Sequence, residues 1–456
     1  MTVASSVLEL VGNTPIVEAK RLDTGPCRLF IKLEALNPGG SIKDRIGLQM
    51  IQAAEKRGDI KPGDLLVEAT AGNTGLGLAL VAAVRGYKLL IVMPDKMSRE
   101  KVFNVQAMGA EVVMTRSDVQ KGHPEYYQDL AERLAKERGG YYINQFANPD
   151  NPAAHEATTG PEILEQLDGK VDAVVLGVGT SGTLTGISHY FAKASPQTEF
   201  VLADPKGSVL ADYIKTGKLG KAERWMVEGI GEDFIPSIAD LSAVKTAYTI
   251  PDAEAFAVAR EVLQKEALLL GSSSGTLIAA ALRYCREQTE PKNVVTLGCD
   301  TGAKYLSKLY NDFWMVERGF TAPPQTGTLV DLITRPHRAN ATVTVGPDDN
   351  LATAHDRLRD GGYSQVPVVS EGRLVGAVTE GDLLRAVLEE RLSFEEPVSR
   401  VMNAGFPRMD VNEKRSYLAE RLTLEPAIAI EDGGEFLGLV TRADYLTWIR
   451  NGGDYS

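Results

Sequence analysis

The chain has little cysteine, no excess of positive charge and no long apolar run, and each lack closes off a class of function. Its three cysteines, Cys27, Cys285 and Cys299, are odd in number, far apart and not in metal-ligand spacing. They read as free thiols in a reducing compartment, so a cytoplasmic location is expected and no metal site is. Lys plus Arg total 49 against 61 Asp plus Glu, a net charge of -12, which opposes nonspecific attraction to nucleic acid or an anionic membrane. No apolar run reaches about 18 residues, and no basic stretch followed by an apolar one opens the chain, so neither membrane insertion nor export is expected. What is present is an ordinary globular composition, 456 residues with 43% apolar, which suggests about three domains of ~150 residues.

Over residues 1–310, short β-rich runs alternate with amphipathic helical stretches. Strands are expected at 65–69, 88–93, 110–114, 141–145, 172–178, 200–203 and 293–297. Between them, Asp44 to Lys56 places Ile46, Met50, Ile51 and Ala54 on one helical face, with Gly58 as a stop. The continuous apolar run Ala173-Val174-Val175-Leu176 implies a strand covered on both faces, hence α/β architecture with two doubly wound parallel-sheet subdomains. The texture changes after Phe320, where 321–328 carries two prolines and a glycine without apolar periodicity, an expected linker. Beyond it the decapeptide from Val375 to Leu384 recurs from Leu437 to Leu446. In each copy an alternating strand (365–369, 427–430) precedes Gly-x-Val-Thr and then an Asp that opens a helix, so two similar units are expected to pack together. The divisions expected are 1–320, a linker at 321–334, and repeats at 335–390 and 391–456.

Four segments carry the chemistry: Ser41-Ile42-Lys43-Asp44-Arg45, Ala71-Gly72-Asn73-Thr74-Gly75, Gly179-Thr180-Ser181-Gly182-Thr183 and Gly271-Ser272-Ser273-Ser274-Gly275. A lone loop lysine is usually a solvated charge. Here Pro38-Gly39-Gly40 delivers Lys43 to a helix start, where the dipole favours the free amine that attacks an aldehyde. Gly179 to Thr183 follows a strand and supplies backbone N–H groups and hydroxyls for a phosphate monoester, so together the set reads as a pyridoxal phosphate site. Gly177 to Gly182 with Asp204 about 20 residues on also satisfies the dinucleotide fingerprint. It lies deep in the chain and is rich in hydroxyls, which favours the phosphate cradle. Gly271 to Gly275 is a plain N-cap on the simplest view, yet Ser273 is placed to face a pyridine nitrogen. A serine cannot keep that nitrogen protonated, which makes the ring a weaker electron sink and favours β-elimination.

At this point the residues resemble the fold-type II enzymes of β-replacement, and among them the cystathionine β-synthase family, over nearly the whole chain. Val11 to Pro15, Pro38 to Arg45, Ala71 to Gly75 and Gly179 to Thr183 are shared with O-acetylserine sulfhydrylases. Met93 to Lys101, Asp204 to Ser208, Glu228 to Pro236 and Lys308 to Met315 are similar to the cystathionine β-synthases alone, and the duplicated tail resembles their tandem CBS domain (Bateman) module. The resemblance implies that Lys43 holds the cofactor and is catalytic, Asn73 bonds the ring hydroxyl, Gly179, Thr180, Ser181, Gly182 and Thr183 hold the phosphate, and Ser273 meets the ring nitrogen. It assigns the substrate carboxylate to Thr70, Gly72, Asn73 and Thr74, with Gln145 facing them. It also implies an adenosine-type ligand near Thr379 with Asp382 and Thr441 with Asp444, where the alternative is that each pair only caps a helix. Three positions depart from the pattern: Ala71 stands for a serine, and Phe146 and Glu232 for tyrosines of the animal enzymes. Only a few residues precede Val7, where the heme extension of animal enzymes would lie, so heme is not expected.

The expected activity is condensation of L-serine with L-homocysteine to L-cystathionine and water by a homodimer or homotetramer, with hydrogen sulfide release from cysteine as a side activity. An O-acetylserine-dependent synthase of cysteine or cystathionine is the alternative enzyme. A non-catalytic sensor acting through the tail is the alternative class, opposed by the intact Lys43 set.

Overall fold

In the computed structural model, which describes residues 3–70, 72–95, 97, 99–120, 122–322 and 326–453, Ala173–Leu176 is buried along its whole length. A strand covered by helices on both faces must be so. Two compact units form, Met1–Tyr310 and Asn311–Ser456.

In the first unit the strands are β1 (Ile16–Glu18), β2 (Arg28–Lys32), β3 (Leu65–Ala69), β4 (Lys88–Pro94), β5 (Glu111–Thr115), β6 (Tyr141–Tyr142), β7 (Ala173–Leu176), β8 (Glu199–Pro205), β9 (Val244–Ile250) and β10 (Asn293–Leu297). They make a six-stranded sheet of order β1-β2-β10-β7-β8-β9 and a four-stranded sheet of order β5-β4-β3-β6. Every pairing is parallel except β1 with β2. The expected strand at 141–145 stops at Tyr142 because Asn144 takes a left-handed φ of 53°, which turns Gln145 off the sheet.

Helix Lys43–Arg57 buries Ile46, Met50, Ile51 and Ala54 and ends at Gly58, whose φ of 79° costs no Cβ clash. Those residues share a core with Leu66, Leu78, Leu89 and Ile91, so the helix is seated on the four-stranded layer beside helix Asn73–Arg85. The two helices cross with backbones touching. A Cβ on Gly47 would lie 2.7 Å from the Gly77 carbonyl carbon, and one on Gly77 would lie 2.6 Å from the Lys43 carbonyl oxygen. This crossing brings Lys43 and Asn73, each the first residue of its helix, to one place.

The second unit begins ahead of the composition change after Phe320, because helix Asp312–Glu317 is tied to the tail by Asn451, whose side chain donates to the Glu317 carbonyl. Its strands are β11 (Gln365–Ser370), β12 (Arg373–Thr379), β13 (Arg408–Asp410), β14 (Ala427–Asp432) and β15 (Glu435–Thr441). The β11/β12 and β14/β15 hairpins carry a register shift at equivalent positions, Val368/Val369 and Ile430/Glu431, a structural mark of the duplication. Leu374, Ala377, Phe406, Ala427, Ala429 and Phe436 form one buried cluster in which both repeats take part. Among the described residues no helix is long and apolar enough to cross a membrane.

Candidate active site

Gly40, with φ 75°, turns the chain into the helix that Lys43 begins, and the Gly39 N–H donates to Asp44 Oδ2. Arg45 anchors this helix start. Its guanidinium donates to Glu34 at 2.8 Å and to Glu162 at 2.7 Å, and Lys32 closes the group on Glu162 at 2.8 Å. Desolvation pushes the Lys43 amine below its ordinary range, with Cys299 and Glu232 pulling the other way. The free amine is thereby favoured, as a nucleophile and proton carrier requires.

The phosphate-cradle segment meets a buried imidazole. Ser181, left-handed at φ 71°, precedes helix Gly182–Ala194, whose start has no side-chain cap. Thr183 Oγ1 lies 3.2 Å from His155 Nε2, and His155 Nδ1 lies 2.9 Å from Thr159 Oγ1. Burial, then the charges of Lys43 and Arg45, hold His155 well below its ordinary range, so it is neutral. Thr180 Oγ1 accepts from Asn151 Nδ2 at 3.0 Å, and Ser181 Oγ and Thr185 Oγ1 are 3.2 Å apart. A Cβ on Gly179 would sit 2.6 Å from the Gly229 carbonyl oxygen, and one on Gly182 would sit 1.9 Å from Asn151 Oδ1. An uncapped helix start, hydroxyls and side-chain-free backbone fit a phosphate monoester. Asp204, the acidic residue of the dinucleotide alternative, is buried, and its Oδ2 accepts from the Ala211 N–H at 2.8 Å at a helix start.

The three serines of the last segment do different things. Ser272 Oγ accepts from the Glu228 N–H at 3.1 Å and Ser274 Oγ accepts from the Cys299 N–H at 2.9 Å, while the Ser273 hydroxyl lowers the Cys299 thiol against the larger effect of burial. Desolvation pushes that thiol up to about 12, which keeps it protonated beside Lys43. The Cys299 carbonyl accepts from the Ile42 N–H at 2.9 Å, so the serine loop and the start of the Lys43 helix meet at Cys299.

Asn73 does not stand alone. Its Nδ2 donates to Asp300 Oδ2 at 2.7 Å and its Oδ1 accepts from Lys304 Nζ at 3.0 Å, which leaves one amide N–H for a ring hydroxyl. Lys304 also donates to the Gly39 carbonyl at 3.1 Å, tying Asn73 to the approach to Lys43. In the carboxylate loop the Gly72 N–H donates to Thr70 Oγ1 at 3.1 Å. Thr74 Oγ1 donates to Gln145 Oε1 at 2.7 Å, so Gln145 does face this loop. The Ala71 departure lies outside the described residues. Phe146 stands in an aromatic group, 6.3 Å from Tyr127 and 5.8 Å from Phe234 between ring centroids. Burial and then the charge of Glu232 hold the Tyr127 phenol well above its ordinary range.

Sequence reasoning passed over Asp300, Tyr305 and Lys304 altogether, and quoted Lys101, Glu228 and Lys308 without joining them. Lys101 Nζ donates to Glu228 Oε2 at 2.6 Å and to the Tyr305 hydroxyl at 3.2 Å, and Lys308 donates to Glu228 Oε1 at 2.6 Å. Among the described residues no group of three His, Cys, Asp or Glu side chains is arranged to hold a metal ion.

A lysine at a helix start, a phosphate-fitted turn and a serine loop that meets the lysine's helix start at Cys299, on two parallel-sheet layers, define a fold-type II pyridoxal phosphate enzyme. Residues 7–300 match the family described as "Pyridoxal-phosphate dependent enzyme", and 331–389 match the CBS domain. The cystathionine beta-synthase of Oryctolagus cuniculus is 35% identical over 98% of this chain and 85% of its own. A solved hydrogen sulfide-producing enzyme from Fusobacterium nucleatum is 38% identical, with TM-score 0.62, over 67% of this chain and 100% of its own. The O-acetylserine dependent cystathionine beta-synthase of Helicobacter pylori is 35% identical, with TM-score 0.63, over 68% and 99%. The chain belongs to the pyridoxal-phosphate dependent enzymes and, within them, to the cystathionine beta-synthase family of lyase-type β-replacement synthases with a CBS domain.

Proposed function

We propose that this enzyme condenses L-serine with L-homocysteine to give L-cystathionine and water. What supports the site assignment is that Lys304 ties Asn73 to the Gly39 carbonyl on the turn leading to Lys43, and that the Ile42 N–H beside Lys43 donates to the Cys299 carbonyl of the serine loop's partner segment. Pyridoxal phosphate, when bound, supplies the electron sink that makes the substrate Cα–H acidic and the β-substituent a leaving group. Lys43 would hold it, then as a free amine take the Cα proton and deliver a proton to the departing hydroxyl. Gly179 to Thr183 would take the phosphate, Asn73 the ring hydroxyl and Ser273 the ring nitrogen, where a hydroxyl leaves the ring a weak sink and favours β-elimination. The backbone N–H groups of Gly72 to Thr74, with Thr70, Thr74 and Gln145, would hold the substrate carboxylate. The Tyr127, Phe146 and Phe234 rings would exclude water from the second substrate's path.

The second reading is an O-acetylserine-dependent synthase of cysteine or cystathionine, favoured by the resemblance of Phe146 to the phenylalanine found in sulfhydrylases and by the likeness to the Helicobacter pylori enzyme. Hydrogen sulfide release from cysteine as a side activity accords with the Fusobacterium nucleatum relative. Steady-state kinetics with serine and with O-acetylserine, each with homocysteine and with sulfide, separates these. Serine plus homocysteine is expected to have the highest kcat/KM, and a ratio favouring O-acetylserine plus sulfide would move the enzyme to the second reading. Lys43→Ala is expected to lose the visible cofactor band and at least about 100-fold of turnover in every pairing.

We further propose a cytoplasmic homodimer or homotetramer, and an adenosine-type ligand at the tail repeats. Both aspartates close capping boxes there. Asp382 Oδ2 accepts from the Thr379 N–H at 2.9 Å and hydroxyl at 2.7 Å, and Asp444 Oδ2 from those of Thr441 at 2.8 and 2.6 Å. The second oxygen of Asp444 also accepts from Thr334 at 2.6 Å, whereas Asp382 has Arg385 4.0 Å away, which favours the first repeat for a ribose.

A further inference from the structure

Lys101 sits on helix Arg99–Ala107 of the four-stranded layer, while Glu228, Asp300, Tyr305 and Lys308 follow the strands of the six-stranded one. It is 1% exposed, and its stem backs the carboxylate loop, since a Cβ on Gly72 would lie 2.6 Å from Lys101 Cδ. Its ammonium donates to Glu228 and to the Tyr305 hydroxyl and lies 4.8 Å from the Tyr305 ring centre. From there two arms of donors converge on the Asp300 carboxylate. Tyr305 donates to Asp300 Oδ2 at 2.7 Å, Asp300 accepts from Asn73, and Asn73 accepts from Lys304, which reaches the Gly39 and Gly40 carbonyls. At the other end, Glu228 leads into a loop seated on the phosphate cradle, where the Gly231 N–H donates to the Val178 carbonyl at 2.8 Å.

We propose that Lys101 is a positioning residue, a charged latch between the two layers that fixes the Gly72–Thr74 loop over the cofactor site through Glu228 and the Tyr305–Asp300–Asn73 chain. A buried ammonium with two hydrogen-bonding partners and an aromatic face has one low-energy placement, so the loop behind which its stem lies inherits that placement. Lys308 supplies the second cation that Glu228 needs to remain ionised when buried, and both lysines hold that carboxyl below its ordinary range. The latch explains in physical terms why Lys101, Glu228 and Lys308, far apart in the chain, are of one piece.

The inference rests on the reading of Gly72 to Thr74 as the carboxylate site, and the test keeps the two apart. Lys101→Met retains most of the stem and removes the charge, and Glu228→Gln keeps the shape and removes the partner. In the holoenzyme, each is expected to raise KM for the first amino acid, serine or O-acetylserine, whichever turns over, by about tenfold, the scale of one broken buried charge pair. KM for the thiol should stay within about twofold, and the double variant should be no worse than the poorer single one, because both break the same bond. The visible cofactor band is retained in all three. Unchanged first-substrate KM, equal rises for both substrates or additive effects would overturn the latch while leaving the carboxylate reading intact. If Lys101→Met fails to fold, Glu228→Gln with Lys101→Arg carries the same test, the arginine variant restoring part of the lost KM. A carboxylate reading that is itself wrong shows separately, as unchanged first-substrate KM in Thr74→Ala and Gln145→Ala.

Discussion

Burial shifts the titration of several groups at this site, and the consequences can be read residue by residue. Desolvation is the chief cause that lowers the Lys43 amine and the His155 ring and raises the Cys299 thiol. Glu68, at the end of β3 under the carboxylate loop, is the plainest case: burial lifts its carboxyl from 4.5 to about 8, although the Gln145 N–H bonds Glu68 Oε2 at 3.3 Å. Between those values the folded protein keeps a proton that the unfolded chain has released, so this group lowers stability as pH rises through the window and adds no further change above it. Glu68→Gln carries no such proton. Thermal unfolding from pH 5 to 9 is expected to show the variant gaining on the parent as pH rises, and parallel curves would remove Glu68 from the account.

At the level of elements, the helices and the central strands were legible because their signals are local. The 3.6-residue spacing of Ile46, Met50 and Ala54 and the apolar run Ala173 to Leu176 each state their own burial. β2 was not legible, since Leu29-Phe30-Ile31 is bracketed by Arg28 and Lys32, and a lysine reads as exposed until Glu162 is seen to meet it in the interior. β1 is three residues long, and edge strand β9 buries its residues without clean alternation. The crossing of helices Lys43–Arg57 and Asn73–Arg85 was equally hidden, because two glycines in different helices announce a contact only once paired. Gly77→Ala would press a methyl group against the Lys43 carbonyl. It is expected to cost about 1–3 kcal/mol and to lower kcat/KM, since separating the helices moves Lys43 and Asn73 apart. Unchanged melting temperature and activity would show that the crossing can relax without touching the site.

Over the whole molecule, the four segments proposed to hold the cofactor could be placed at helix starts from the chain alone, since each is a short turn rich in glycine or hydroxyl residues. The charges that join them could not. Lys101 reaches Glu228 across 127 positions and Tyr305 across 204, and no periodicity links residues so far apart. The tail poses the converse problem, a signature plain in the sequence whose chemistry the structure partly absorbs. Thr379 and Thr441 cap helices Glu380–Leu388 and Arg442–Arg450 through the very aspartates proposed to meet a ribose, a cap that contributes about 1 kcal/mol by itself. A ligand must therefore use the remaining carboxylate oxygen, and Thr334 already takes that of Asp444. Calorimetric titration of S-adenosylmethionine, AMP and ATP into the intact enzyme is expected to give heat with at least one of them, lost in Asp382→Ala and kept within about threefold of the parent affinity in Asp444→Ala. Such a ligand changes turnover only if it binds two states of the enzyme unequally, so kinetics with and without it decide regulation separately from binding. Equal loss in both variants would set the repeats as equivalent sites, and no heat with any of the three would leave both aspartates as helix caps alone.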